Sequence, residues 1–403
     1  MKILILSESF PPETKSCSTL FFELSESLVK NGHEVSVITR LPKYNVADGV
    51  DLGKIPSRET ISGVQVYRYQ TPPLARDIPV VRGLEHFLLG LTFFWGGLFL
   101  GRFDVILVYS PPLPLGIAGY WLGKIKRCPV VVNIQDLYPQ TVIDLGLLKS
   151  RLLIKVSQMM ERFIYRRSAA LTVHSAGNKE YLVNHGAAAQ KVRVIYNWVD
   201  VDLIKPGDKD NPFARQYGLK DKFVVSFAGV MGFAQGLEVV IRAAERLRDK
   251  PDILFIMVGD GTKKPELEKL TAELGLNNVR FIPTQPVALY PQVLHASALS
   301  LVVLDKTLVT PVVPGKLLSV MAAGIPVVAS LPLVGDAPKI IAENGCGVAV
   351  AAGEPAALAE AIVSLYNDER SRRQMGSNGR RAAEKLFSRQ ACVQAYEELF
   401  RDL

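Results

Sequence analysis

Short β-branched runs alternate with amphipathic stretches along this chain, and the alternation stops in the middle and then begins again. In the first half, strands fit Lys2–Leu6, Glu34–Ile38, Val64–Arg68, Val105–Val108, Val130–Ile134, Ala170–Val173 and Arg193–Ile195. Helices fit Ser18–Lys30, Leu84–Leu100, Pro114–Lys126, Leu148–Arg167 and Lys179–Asn184. Such an order implies βαβ units, hence an α/β fold with a parallel sheet covered on both faces. A polar break, Asp202–Asp221, follows and contains Pro206-Gly207 and Asn211-Pro212. Beyond it strands fit Phe223–Ala228, Ile253–Gly259, Val279–Phe281, Leu299–Leu304, Pro326–Ala329 and Gly347–Val350. A chain of 403 residues is too long for one ordinary core. The restart therefore predicts two Rossmann-like parallel-sheet domains facing a cleft. The expected division is 1–204, 205–375, and a helical segment 376–403 packing back toward the first domain.

Hydrophobic residues at 48% and charged residues at 21% describe a folded chain with no disordered tract. A net charge of +8 calls for an anionic partner, a nucleotide or an anionic membrane surface. Nucleic acid is not expected, because no basic arm, zinc spacing or aromatic-basic RNA motif occurs. Cys17, Cys128, Cys346 and Cys392 lack metal-ligand spacing, which points to a reduced cytosol without structural disulfides. The first apolar run meets Ser7-Glu8 with no cleavage site, so the expected location is cytoplasmic. Phe87–Gly101 carries no charge over 15 residues and lies between Arg82 and Arg102. That is short of the ~18–20 residues needed to span a bilayer. It is either an interior helix or a face dipped into one leaflet. Arg151, Lys155, Arg162, Arg166 and Arg167 interleave with apolar residues on a second candidate surface helix.

Ligands of open parallel sheets bind beyond the strand carboxyl ends. The loops that matter are therefore Ser7–Cys17, Gln135–Gln140, Gly229–Gly236, Gly259–Thr262 and Asp305–Lys316. Pro314-Gly315-Lys316-Leu317-Leu318 reads as a loop opening a short helix, followed by a tight turn and a buried strand. The unpaired amides at such a helix start suit a phosphate. Lys316 in the first turn runs against the dipole preference for acids, and an anion between it and the amides would reconcile the two. Gly229, Gly232 and Gly236 follow a strand and open a helix, a phosphate cradle or a βα turn that needs glycine for packing. Gly259-Asp260-Gly261 ends another strand, as a turn first and a ligand loop second. Asp136, after Val130–Ile134, could orient an acceptor hydroxyl or cap a helix. No histidine has ligand spacing, and no metal site is expected.

In this order these pieces resemble glycosyltransferase family 4, the retaining sugar-nucleotide enzymes of the GT-B fold. The resemblance runs over nearly the whole chain: Phe10-Pro11-Pro12-Glu13, Asn31-Gly32-His33-Glu34-Val35, Tyr196-Asn197-Trp198-Val199-Asp200, Val258-Gly259-Asp260-Gly261, and Pro314 to Ser330. Gln235-Gly236-Leu237-Glu238, Asn197-Trp198 and Pro314-Gly315-Lys316-Leu317 are most similar to the branch of bacterial colanic-acid and O-antigen enzymes. Departures are specific. Two glutamates common in the family read here as Pro311 and Ser319, and the diphosphate-binding Arg and Lys as Val230 and Gln235. The usual histidine of the first domain corresponds to Gln135, and the glycines of the first loop to Ser16 and Ser18.

The resemblance implies transfer of a sugar with retention from a nucleotide diphosphate donor, UDP favoured, with no cofactor and no metal. Lys316, Asp136 and Gln135 are the implied catalytic set. Gly229, Gly232, Gln235, Gly236, Gly259, Gly315, Lys316, Leu317 and Ser319 would bind the donor, and Ser16 and Tyr138 the acceptor. The expected acceptor is a polyprenyl-diphosphate-linked saccharide at the inner face of the cell membrane, with the chain held peripherally on anionic lipid. The alternative is a catalytically weak binding subunit of a membrane polysaccharide complex.

Overall fold

Val130-Val131-Val132-Asn133-Ile134 is buried along its whole length, as a parallel strand covered on both faces must be. The computed structural model describes residues 1–42, 46, 50–71, 79–144, 148–308 and 313–403, the side chains of 79–82 excepted. Pro311 and the side chain of Arg82 lie outside the described residues. Contacts divide the chain into two units, Met1–Asn197 with Cys392–Leu403, and Trp198–Ala391. The division thus falls after Asn197 where 204 was expected, and residues 376–391 stay with the second unit.

The first unit holds β1 (Lys2–Leu6), β2 (Glu34–Arg40), β3 (Arg58–Ile61), β4 (Val64–Tyr69), β5 (Val105–Ser110), β6 (Val130–Ile134), β7 (Ala170–Val173) and β8 (Val192–Val194). Their order across the sheet is β3-β4-β2-β1-β5-β6-β7-β8. Ile5 stands opposite Val37 on one side and Leu107 on the other, both pairings parallel. β3 is the one antiparallel member and was not expected. It is joined to β4 by Ser62 and Gly63 at φ of 48° and 82°, the positive pair that a tight two-residue hairpin needs.

Helices Pro79–Leu98, Leu113–Lys126 and Arg151–Arg167 cover one face of this sheet. Phe93, Leu122 and Ile164 from them share one core with Leu6, Val108 and Val132. The helix expected over Leu148–Arg167 begins at Arg151, and a short helix that was not expected, Gln140–Asp144, comes before it. Ser150 starts the longer one, its hydroxyl accepting from the Leu153 amide at 3.5 Å. The last helix, Arg389–Arg401, brings Glu397 to Asn31 at 2.8 Å and to His33 at 3.0 Å.

The second unit holds β9 (Phe223–Ala228), β10 (Ile253–Val258), β11 (Val279–Ile282), β12 (Leu299–Val303), β13 (Val327–Leu331) and β14 (Gly347–Ala351). All are parallel, in the order β11-β10-β9-β12-β13-β14. Helix Glu369–Leu386 is pinned by Arg380, whose Nη1 donates to the carbonyls of Val201 at 3.0 Å, Ile204 at 2.9 Å and Ala322 at 2.9 Å.

One buried charge organises the carboxyl edge of the first sheet. Arg40 is 4% exposed, with Nη2 at 3.4 Å from both Glu8 and Glu13 and Nη1 at 3.9 Å from Glu85. Ser9 donates a further short hydrogen bond to Glu13. Removing one partner of such a cluster strands the others in low dielectric. Arg40→Leu should therefore destabilise the protein by about 3–5 kcal/mol, read by urea unfolding at neutral pH. A loss below about 1 kcal/mol would show that Arg40 contributes no more than an exposed ion pair does.

Candidate active site

β9 is flanked by β10 and β12, so the chain leaves it in opposite directions on its two sides. Such a switch point opens a crevice beyond the strand carboxyl ends. Two parts of the chain with sequence signals converge there: Gly229–Gly236 after β9, and the start of helix Gly315–Ala322.

Helix Gly315–Ala322 starts at Pro314, which supplies no side-chain cap. The Leu317 amide donates to the Pro314 carbonyl at 2.9 Å, while the Gly315 and Lys316 amides have no hydrogen-bond partner among the described residues. The Leu317 side chain is fully buried, so it anchors the helix instead of lining the crevice. Lys316 turns back over the end of β9, with Nζ 3.9 Å from the centroid of the Phe227 ring. No carboxylate among the described residues pairs with it. Burial pushes its ammonium down to about 8. A cation that has lost water and gained only an aromatic face is poised for an anion.

Backbone approaches backbone around that ammonium. Gly229 has φ of 139°, and a Cβ there would stand 2.4 Å from Lys316 Cε. Gly259 has φ of 140°, and its Cβ would stand 2.1 Å from the Gly229 carbonyl oxygen. The Met231 amide donates to the Asp260 carbonyl at 2.8 Å, which laces the β9 and β10 loops together. Gln235 turns inward, its side-chain oxygen accepting from the Gly232 amide at 3.1 Å. Gly236, at φ of 55°, lies against Asp305. Ser319 stands one turn beyond the helix start, donates to the Gly315 carbonyl at 3.3 Å and neighbours the Tyr290 hydroxyl.

Gly229, Gly259 and Lys316 thus meet directly, Gly315 adds an open amide, and Gly232 and Gln235 brace the loop. Three residues near this edge were not among the expected site residues, although two of them, Asp305 and Phe233, lie in loops the sequence singles out. Asp305, which follows β12, accepts from the Thr307 hydroxyl at 2.6 Å and amide at 2.9 Å, and those bonds lower its carboxyl. Lys263 lies 4.6 Å from the exposed Phe233 ring and pairs with Glu266 at 2.5 Å and Glu238 at 3.7 Å. Position after a strand end was the available signal for Asp305, and Phe233 lay inside the glycine loop already singled out.

In the first unit the corresponding switch point lies between β1 and β5. Ser16 is exposed and opens helix Ser16–Lys30 there. The Gln135 amide is fully engaged: Nε2 donates to Asn133 at 2.9 Å and Asn197 at 3.1 Å, and Oε1 accepts from Asn197 at 2.9 Å. Asn133 continues the chain to Thr172 at 3.0 Å and Tyr396 at 2.8 Å. Gln135 therefore acts as placed through other residues, by fixing the loop. Asp136 is exposed, its carboxylate unbonded among the described residues and its carbonyl accepting from the Tyr138 amide at 2.9 Å. Tyr138 is half-buried. Burial, then Cys17, Asp136 and Glu8, hold the Tyr109 hydroxyl raised and protonated. Among the described residues no group of His, Cys, Asp and Glu could hold a metal ion.

Comparison with known proteins agrees with this geometry. The family model "Glycosyl transferase 4-like domain" matches residues 18–198, and "Glycosyl transferases group 1" matches residues 210–382. WcaI of Escherichia coli (strain K12), named as a colanic acid biosynthesis glycosyl transferase, is 29% identical over 338 residues, 80% of this chain and 82% of that protein. The glycosyltransferase WbjE of Pseudomonas aeruginosa is 25% identical over 65% of this chain and 66% of its own length. Among solved structures, Anabaena Alr3699/HepE in complex with UDP superposes over 100% of both chains with a TM-score of 0.74 at 20% identity, which speaks for the fold. With one family model on each unit, the chain belongs to the glycosyltransferases, with a 4-like first domain and a group 1 second domain.

Proposed function

We propose that this glycosyltransferase moves a sugar, with retention, from a nucleotide diphosphate donor to a polyprenyl-diphosphate-linked saccharide in cell-surface polysaccharide synthesis. The observation that carries the donor half is Lys316, partly buried, stacked on Phe227 and next to two open amides. UDP is the favoured nucleotide, in keeping with the UDP named for the structural neighbour. The working location is the cytoplasmic side of the membrane, with the chain bound peripherally to anionic lipid. The basic net charge of +8 supports that placement.

In this reaction the bond from the anomeric carbon to the diphosphate oxygen breaks, and a bond to the acceptor oxygen forms on the same face. The acceptor proton passes to the departing phosphate oxygen. Negative charge therefore grows on the diphosphate, and fixed donors aimed at it do most of the catalytic work. Lys316 and the Gly315 and Lys316 amides supply them, so the scheme calls for no metal ion and no cofactor. Gly229 and Gly259 let the backbone come close enough for those donors to reach. Asp136, with its carboxylate unbonded, orients the acceptor, and Ser16 and Tyr138 stand at the same sheet edge. The inward turn of Gln235 favours a second reading, a weak or silent binding subunit, since this position then carries no charge to the donor.

Lys316→Ala should lower turnover by about 10²–10³ through loss of one preorganised donor. Steady-state donor hydrolysis and transfer, with and without a membrane extract, check this; wild-type protein inactive in both would favour the binding subunit.

The lowered ammonium makes a separate, equilibrium prediction. With a folded value near 8 and an ordinary one of 10.5, free Lys316 is partly neutral above pH 8. The unfolded chain then binds more protons, so Lys316 makes stability rise with pH between about 8 and 10.5. An anion restores the charged form, so UDP binding at pH 8.5–9 should take up close to one proton, by roughly the shift reversed. Titration calorimetry in buffers of different ionisation enthalpy measures it, and equal proton uptake by Lys316→Ala would remove Lys316 from the site.

A further inference from the structure

Helices Pro79–Leu98, Leu113–Lys126 and Arg151–Arg167 lie side by side on the first sheet, and their outward faces are apolar. Phe87, Leu91 and Trp95 form an i, i+4, i+8 stripe on the first, and Trp95 is 59% exposed. Trp121 and Ile125 continue the surface on the second, and Leu152, 70% exposed, Val156 and Met159 on the third. Between the first two helices runs a groove of about 170 Å³ lined by Phe87, Leu91, Phe94, Pro114, Ile117 and Trp121. Gly90 lets the helices close on it, since a Cβ there would stand 2.9 Å from the Pro114 carbonyl oxygen. The volume is near that of an engineered apolar cavity of about 150 Å³ that stays dry and takes benzene. A sugar or nucleotide would leave its hydroxyls unsatisfied in such a lining. A hydrocarbon chain would not.

The exposed charges that the described residues of these three helices carry have one sign. Among the described residues of the three helices the acids are Glu85 and Glu161, and both are buried. Glu85 lies beside Arg40, and Glu161 accepts from the Tyr165 hydroxyl at 2.9 Å. Every exposed charge is a cation: Lys124, Arg151, Lys155, Arg162, Arg166 and Arg167. Lys124 and Arg167 also border a hollow of about 430 Å³ at the helix ends, together with Arg127 and Lys191. A second copy of the chain would set this positive face against itself in a two-fold interface, and like charges would repel. No described helix is long and apolar enough to cross a membrane, so the surface lies on whatever it meets.

We infer that this three-helix face docks onto an anionic phospholipid bilayer, the groove admitting part of one acyl chain and the basic hollow taking a headgroup phosphate. The inference deepens the reading of a lipid-borne acceptor, and it can be measured with neither donor nor acceptor present. Full-length protein is sedimented with vesicles of phosphatidylcholine mixed with phosphatidylglycerol, and with phosphatidylcholine alone. At low salt it should partition onto the mixed vesicles at least about tenfold more strongly, and lose most of that preference at high salt. Lys124→Gln, Lys155→Gln and Arg167→Gln combined should weaken partitioning by about a hundredfold, at roughly fivefold per cation, with an unchanged thermal melt. Brominated acyl chains should quench tryptophan fluorescence in the wild type, and less in Trp121→Phe. Wild-type protein left in the supernatant at low salt overturns the docking, as does binding that ignores the triple substitution. Self-association without vesicle binding overturns it in favour of a contact between copies. Vesicle failure with donor hydrolysis intact removes the docking alone, whereas docking without hydrolysis removes the transfer reading alone.

Discussion

A parallel sheet buried on both faces has its amides and carbonyls paired along its length and leaves polar backbone open only past the strand ends. The chemistry of this chain therefore gathers at the carboxyl edges of its two sheets. In the second unit the edge is shaped by contact of backbone with backbone, Gly259 against the Gly229 carbonyl and Gly229 against Lys316. Side chains on those glycines would collide with the Lys316 methylenes and with the facing backbone. The same approach brings the Lys316 methylenes and ammonium over the Phe227 ring, where solvent is replaced by an aromatic face. Close packing and the lowered ammonium thus have one cause.

The first unit meets its own edge differently. It buries charge and satisfies it, with Arg40 among Glu8, Glu13 and Glu85, and it fixes the loop after β6 through the amide chain from Asn197 and Gln135 to Asn133. Buried polar networks of this kind specify one arrangement because an unpaired member is expensive. Asp136 keeps an exposed carboxylate that is unbonded among the described residues and that helps to raise the Tyr109 hydroxyl. One edge offers positive, desolvated donors and the other a carboxylate in water.

The helical face of the first sheet shows how one element serves two solvents. Phe93 is fully buried against the sheet, while Trp95 stands outward on the same helix. Part of Phe87–Gly101 is therefore interior and part is exposed. Its uninterrupted apolar character reflects a helix with greasy residues all round, in place of a single core-facing stripe.

Element type and order were legible in the sequence, because a buried parallel strand must be a short β-branched run and a covering helix must be amphipathic. The two sheets, the glycine loop and Lys316 follow from that local chemistry, and the motifs from Phe10 to Ser330 carried the family. β3 was missed, although Ser62-Gly63 marked its hairpin, because an edge strand with alternating burial lacks the apolar run that announces a central one. Roles were a different matter. Gln135, Gln235 and Leu317 looked like residues facing a ligand, and only the folded chain turns them to Asn197, Gly232 and the core. The point at which the C-terminal segment leaves the second unit, Cys392 where residue 376 was expected, was equally beyond reach of local pattern. Periodicity and turn chemistry act over a few residues and so can be read in order, whereas the partner of a side chain is set by contacts between segments far apart in the chain.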